Sequence, residues 1–328
     1  MSNMTPSRLG VDSFNTEQGN TTLFIKVYGG EVLAAFESTT VTFDTHTIRT
    51  IPHGKSVSFP TMWKMKAKYH TPGEIINGQS VAHSERIVTI DDLLIADAFI
   101  DKLDEAMNHY DVRSGYSKEA GSALARHFDL NVLQMGIKGA REKAGIVNDK
   151  EATSGNAPGG SVLENPKVDT ESDALADAII KAAQTFDEKD IPSQDRYVFL
   201  RPKHYYMLAS NLTVLNKDWG GAGSYSDGKV IKIAGITIVE ANNLPNADHS
   251  KDTNIKEKYR DDFSNTVGLV IHKTALGNAK LLDVATEVEW LIQYQGNLIV
   301  AKMALGTGVL RPEACLEISK KAPAKTSS

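Results

Sequence analysis

Residues 56–74 read "SVSFPTMWKMKAKYHTPGE", and the stretch has a period of two. Val57, Phe59, Thr61, Trp63, Met65, Ala67 and Tyr69 share one face; Ser56, Ser58, Pro60, Met62, Lys64, Lys66 and Lys68 share the other. The spacing predicts a long strand, apolar on one side and cationic toward its end on the other. Pro60 has no N–H to give to a ladder, which makes the strand an edge there. "HTPGEIINGQ" (70–79) supplies turn residues. A return strand is expected from about Arg86, with Val88, Ile90, Leu94, Ala96 and Ala98 on one face and Asp92 interrupting it. At ~3.3 Å per residue the hairpin would reach on the order of tens of Å. A two-stranded ribbon of that length is marginal alone, so it must rest on something.

The alternation narrows what that surface is. Lysines beside Trp63 and Tyr69 suggest a strip for nucleic acid, yet the aromatics lie on the face opposite the lysines, so one ligand does not readily meet both. Lysines on an exposed strand also guard against unwanted edge pairing. A solvated edge and a protein contact both stay open on the pattern alone. The formal net charge of −5 lacks the basic balance of a chain that grips DNA along its length.

With 328 residues the chain can bury a large core, and its 41% hydrophobic and 23% charged residues are ordinary globular usage. Cys315 is the only cysteine, so no disulfide framework can form within one chain, which fits a reducing compartment. The N-terminal residues are polar and lack the apolar core of a signal peptide. No run approaches the ~18 apolar residues of a membrane span. The expectation is a soluble, cytosolic protein without a membrane partner.

Residues 1–22 are expected to form a flexible arm. Leu23, Ile25 and Val27 then alternate like a short strand, which Gly29-Gly30 should break before two helical turns from Glu31 to Glu37. The longest helical signal covers 112–144. Val112, Tyr116, Ala120, Ala123, His127, Leu130, Leu133, Ile137, Ala140 and Ala144 step by three or four, with Leu124, Phe128, Val132 and Met135 widening the stripe. Such a helix would be a spine ~45 to 50 Å long. Residues 148–173 read as a long polar connection, with Ser172 expected to cap the helix that follows. "RYVFL", "VIKIAGITIVEA", "TVGLVIHK", "EVEWLIQYQGNLIVAKMAL" and "EACLEIS" read as strands; 245–265 reads as a solvated charged loop. Helices and antiparallel strands without βαβ regularity define an α+β class.

Motifs for chemistry are weak. "GSYSDGKV" (223–230) nearly matches a phosphate-binding loop, but Val230 replaces the hydroxyl residue and a strand is expected where the motif needs a helix. A nucleotide-binding enzyme is therefore the remote alternative. Asp91 and Asp92 point to opposite faces of an extended strand and cannot converge on one atom. His127 is expected as a core histidine and Cys315 as a buried, inert thiol. No histidine pair has metal-ligand spacing. No catalytic residue, cofactor or metal is expected.

Four blocks carry a resemblance: "LFIKVYGGEVLAAFEST" (23–39), "AMNHYDVRSGYS" (106–117), "VGLVIHKTALGNAKLLD" (267–283) and "IVAKMALGTGVLRPEA" (299–314). Together they resemble the major capsid proteins of T-seven-like short-tailed bacteriophages (podoviruses). That resemblance implies the Hong Kong-type capsid fold of tailed phages. It implies an N-terminal arm at 1–54, an E-loop hairpin at 55–92 and a peripheral domain with the spine helix at 93–145. A connection at 146–172, an axial domain at 173–283, peripheral-domain strands at 284–306, a final axial strand at 307–320 and a flexible tail at 321–328 would follow. Such proteins form pentamers and hexamers that close into an icosahedral virion shell. A scaffolding protein guides assembly, a portal occupies one vertex, a cement protein decorates some shells, and double-stranded DNA is packaged with weak contact. An encapsulin-like nanocompartment of the same fold lineage is the nearer alternative. Trp63, Lys64, Lys66, Lys68, Tyr69 and Arg86 are then expected to contact a neighbouring subunit.

Overall fold

A computed structural model describes residues 19–62, 67, 69–76, 83–101, 113–143, 159–211 and 232–321. In chain order its main elements are helix α1 (Gly19–Thr39), strands β1 (Thr47–Thr50), β2 (Ser56–Met62), β3 (His83–Thr89) and β4 (Leu94–Asp101), and helix α2 (Arg113–Arg141). Then come β5 (Ser161–Glu164), α3 (Ser172–Glu188), β6 (Arg196–Leu200), α4 (Pro202–Ala209), β7 (Lys232–Ile233) and β8 (Ile236–Glu240). The last part holds β9 (Thr266–His272), β10 (Leu276–Leu291), β11 (Gly296–Val309) and β12 (Cys315–Ser319). The mixture is α+β, as the sequence pattern predicts. The chain divides into two compact units.

The first unit comprises Met1–Thr40, Asp91–Phe128 and Leu281–Leu305. In it β4 pairs antiparallel with β11, from Leu94 opposite Met303 to Asp101 opposite Gly296. Helix α1 buries Tyr28, Val32 and Phe36, an i, i+4, i+8 stripe. This helix occupies the place where alternation predicts a strand at 23–27. The glycine pair does not break it, because Gly29 is a contact point: a Cβ there would lie 2.8 Å from Thr286 Oγ1. Gly121 plays the same part on α2, where a Cβ would meet Val32 O at 2.4 Å. The two helices thus approach more closely than side chains allow. Ser117 Oγ donates to Glu31 Oε2 at 2.5 Å, and the Phe36 and Phe128 rings lie 6.0 Å apart.

The second unit comprises Val41–Ile90, Asp129–Lys280 and Gly306–Ser328. Its six-stranded sheet has the order β5-β12-β9-β6-β8-β7. Strands β9 and β12 are buried at every position, including the polar Thr266, His272, Glu317 and Ser319. Helix α3 buries Leu175, Ile179, Ala182, Ala183 and Phe186. Gly136 and Gly139 of α2 lie where a Cβ would crowd Leu269, at 2.6 Å, and Val309, at 3.0 Å.

Several expectations from sequence are corrected. The spine helix runs from Arg113 to Arg141, and its fully buried line passes through Ser117, Gly121, Leu124, Phe128 and Val132; Tyr116 is 41% exposed. The predicted stripe holds at Leu124, Phe128, Val132, Leu133, Ile137 and Ala140, which are buried; it fails in the first turns, where Ser117 and Gly121 are buried in place of Tyr116 and Ala120. Ser172 starts α3 but does not cap it: the cap position is Glu171, without a side-chain cap bond, and Ser172 Oγ instead accepts from Asn211 Nδ2 at 3.1 Å. Inside the expected polar connection lies β5, parallel to β12. Gly160 N donates to Glu142 O at 2.8 Å, and a Cβ on Gly160 would lie 2.3 Å from Gly139 O. That glycine pair closes the end of α2 rather than loosening the chain. The charged loop 245–265 is held inward by buried Ile255, Tyr259 and Phe263.

Candidate assembly surfaces

The hairpin is real but shorter on its return arm than alternation suggests. β2 and β3 pair from Ser56 opposite Thr89 to Met62 opposite His83. The chain then leaves the ribbon: β4 joins β11 in the four-stranded sheet β1-β10-β11-β4. The break falls at Asp91 and Asp92, the position of the expected interruption, and Asp91 N donates to Leu305 O at 2.9 Å. Ile90 N donates to Lys55 O, so the hydrogen-bonded pairs are 57/88, 59/86 and 61/84. Pro60, opposite Glu85, therefore occupies a position that needs no N–H.

The base of this ribbon is anchored. Val57, Phe59, Val88, Ala279 and Leu310 form a core, with Ile51 and Ile90 packed against it. Arg49 Nη1 donates to Ser58 O at 3.0 Å, and its guanidinium stands 5.9 Å from the Phe59 ring centroid. A Cβ on Gly306 would sit 2.0 Å from Thr89 O, so only glycine fits there. Arg86 Nη2 pairs with Glu142 Oε1 at 3.0 Å, just past the end of α2.

The described residues of the far end are bare. Tyr69 is 104% exposed, Ile75 86% and Ile76 74%. Gly73, at φ +94°, shapes a turn in which Glu74 N donates to Thr71 O at 3.1 Å. Ile87, on the ribbon's outward face, is 64% exposed. Of the six expected contact residues, Tyr69 is solvent-exposed and Arg86 has a partner in its own chain. Trp63, Lys64, Lys66 and Lys68 lie outside the described residues, as does the glycine-rich 223–230 segment. Sequence reading missed Ile75 and Ile76, two adjacent isoleucines behind a Pro-Gly turn, where burial is hard to arrange.

Buried polar groups in the second unit serve structure. Arg141 grips Glu317 with two bonds, Nε to Oε2 at 2.7 Å and Nη2 to Oε1 at 2.8 Å. It also donates to Asp262 O at 2.6 Å and pairs with Asp261 at 3.2 Å. Burial alone would lower the Arg141 pKa, but the Glu317 carboxylate raises it. Lys138 Nζ donates to Lys258 O at 2.7 Å, so the end of α2 fastens the charged loop. Asp129 accepts from Thr42 Oγ1 at 2.6 Å, Val41 N at 3.1 Å and Thr42 N at 3.2 Å. Desolvation raises the Asp129 pKa against those bonds. His46 Nδ1 donates to Thr42 O at 2.8 Å, while Asn278 Nδ2 faces its Nε2 at 3.5 Å. That network fits a neutral ring, and burial pushes the His46 pKa down to about 4. Cys315 is fully buried and its thiol pKa is raised by burial. Burial also lowers the pKa of the half-buried His127. Among the described residues no group of His, Cys, Asp and Glu is arranged to hold a metal ion, and no helix is long and apolar enough to cross a membrane.

A long helix, an anchored hairpin, paired long strands and a mixed sheet are the elements of the tailed-phage capsid fold. A family description, Gp10A-like major capsid protein, matches residues 58–319, and the chain belongs to that family. The chain is 33% identical over 317 residues to the major capsid protein of Escherichia phage T7, covering 89% of this chain and 90% of that one. It is 33% identical over 318 residues to its counterpart in Enterobacteria phage T3, with 89% and 90% coverage. The capsid structure of cyanophage P-SCSP1u aligns at a TM-score of 0.76 and 40% identity, covering 97% of this chain and 99% of that one. These relatives are structural proteins, and they favour the phage capsid over a nanocompartment shell or a nucleotide-binding enzyme.

Proposed function

We propose that the chain assembles as pentamers and hexamers into an icosahedral shell around the double-stranded DNA of a short-tailed phage, in the cytoplasm of the bacterial host. A scaffolding protein guides assembly and a portal fills one vertex; a cement protein is an optional addition. The chain catalyses nothing, and packaged DNA meets it only by weak, non-specific contact. On this reading 1–54 is the N-terminal arm, 55–92 the E-loop and 93–145 the peripheral domain with the spine helix. Residues 146–172 connect, 173–283 form the axial domain, 284–306 return to the peripheral domain, 307–320 end in the axial domain and 321–328 are a tail.

The observation that carries the reading is the bare apolar end of an anchored hairpin, at Tyr69, Ile75 and Ile76. Exposed apolar groups clustered at a loop end mark a contact, and the family supplies copies of the same chain as the partner. Trp63, Lys64, Lys66, Lys68 and Tyr69 belong to that contact. Arg86, paired with Glu142, acts by holding the hairpin's base. Electron microscopy of the chain co-expressed with its scaffolding partner tests the function. Closed shells are expected; monodisperse monomers under shell-forming conditions overturn it.

A further inference from the structure

Residues 41–46 join α1 to β1, and two buried ionisable side chains, Asp129 and His46, meet at Thr42 within that segment. From α2, Asp129 accepts from Val41 N, Thr42 N and Thr42 Oγ1, and from Asn243 Nδ2 at 3.4 Å. On the other side of the residue, Thr42 O accepts from Thr45 N at 3.0 Å, Thr45 Oγ1 at 2.7 Å and His46 Nδ1 at 2.8 Å. A carbonyl oxygen only accepts, so His46 carries its hydrogen on Nδ1 and the neutral ring presents Nε2 as an acceptor. That nitrogen faces Asn278 Nδ2 of β10 at 3.5 Å. Asn278 is fully buried, and its Oδ1 has no hydrogen-bond partner. The asparagine thus turns its donor to the ring and leaves its acceptor unused.

A proton on Nε2 inverts that match, because two donors then oppose each other. Turning the Asn278 amide over gives the new N–H an acceptor but no counter-charge. The other charges acting on the ring, Asp44 and Lys273, have opposite signs, and Asp129 is engaged by Val41 and Thr42. A buried imidazolium here is therefore poorly compensated. We propose that His46 and Asn278 form a proton-operated latch, which holds residues 41–46 against α2 and β10 while the ring is neutral and releases them when it is protonated. Asp129 is the fixed end, since a carboxyl group accepts from Val41 N and Thr42 N in either protonation state. Burial lowers the His46 pKa from 6.5 to about 4, so the latch is fully closed above pH ~6.5 and weakens as pH falls toward 4.

Hydrogen exchange and imidazole NMR on the unassembled full-length subunit test the latch without any reference to shells. Nitrogen-15 shifts at neutral pH should show His46 with its hydrogen on Nδ1 and Nε2 bare. Between about pH 7 and about pH 4.5, exchange protection at Val41, Thr42 and Thr45, corrected for the intrinsic pH dependence of exchange, should fall roughly tenfold or more. Protection in β9 and β12 should hold over the same range. Asn278→Asp, which sets a carboxylate against Nε2, should raise the His46 pKa by roughly one unit or more and keep residues 41–46 protected in acid. His46→Asn keeps a donor for Thr42 O but takes up no proton, so its protection should not change with pH. If that variant does not fold, the wild-type tautomer and the Asn278→Asp titration still decide. A hydrogen on Nε2 at neutral pH overturns the latch. So does protection at 41–46 that ignores pH in the wild type, or that falls only together with β9 and β12, or an Asn278→Asp variant that leaves the His46 pKa unmoved.

Discussion

The two ends of the hairpin are built of similar residues and live in opposite environments. At the base, Val57, Phe59 and Val88 are at most 9% exposed and are backed by Ala279 and Leu310. Toward the tip, Tyr69, Ile75 and Ile76 are at least 74% exposed. One ribbon thus belongs to its own subunit at one end and lacks a partner there at the other. The base should answer to folding measurements and the tip to assembly measurements.

The largest loss of subunit stability is expected at the end of α2, one residue before the Glu142 that holds the base. Arg141→Met leaves the fully buried Glu317 without its bidentate partner, and removing one member of a buried pair costs about 3 to 5 kcal/mol. Chemical denaturation of the unassembled subunit should show this loss. Phe59→Ala, within the base, should cost about 3 kcal/mol through cavity formation, read by the same method. Acid supplies a third lever of similar size. The folded-state pKa of His46 is lowered from 6.5 to about 4, so the native state favours the neutral ring. Stability is therefore full above pH ~6.5 and falls as pH drops toward 4, by roughly 3 kcal/mol in all. Asp129, whose pKa is raised, acts in the opposite sense and gains from its own protonation. Denaturation from pH 7 to 4 should show a slope that His46→Asn flattens. The smallest effect on the free subunit belongs to the tip. Tyr69→Ser/Ile75→Ser should change its stability by no more than about 0.5 kcal/mol, while shell yield falls. A large loss in the free subunit would erase the contrast between base and tip.

Much of this architecture is legible in the sequence. Alternation over 56–62 locates β2, its inward face and the harmless position of Pro60. The three-four spacing over 112–144 locates the long helix, which runs from Arg113 to Arg141. Other features are hidden for a physical reason: they depend on what another segment brings near. Gly29 looks like a break, Gly160 like part of a linker and Gly121 like any helix position, yet each marks a place where backbone meets a neighbour too closely for a Cβ. The strand-like alternation at 23–27 has no bearing on the helix there, because the stripe at Tyr28, Val32 and Phe36 determines the packing. The loop at 245–265 reads as solvated since its charges outnumber its apolar residues, but Tyr259 and Phe263 bury themselves and Arg141 holds the rest. At the candidate site, the lysine row is visible by its period.

Electron cryomicroscopy of shells formed with the scaffolding partner tests the central claim most directly. The account predicts closed shells in which residues 61–76 of each subunit are covered by a neighbouring copy, with Tyr69, Ile75 and Ile76 removed from solvent. Shells in which those three side chains stay bare, or monodisperse subunits and no shells, would contradict it.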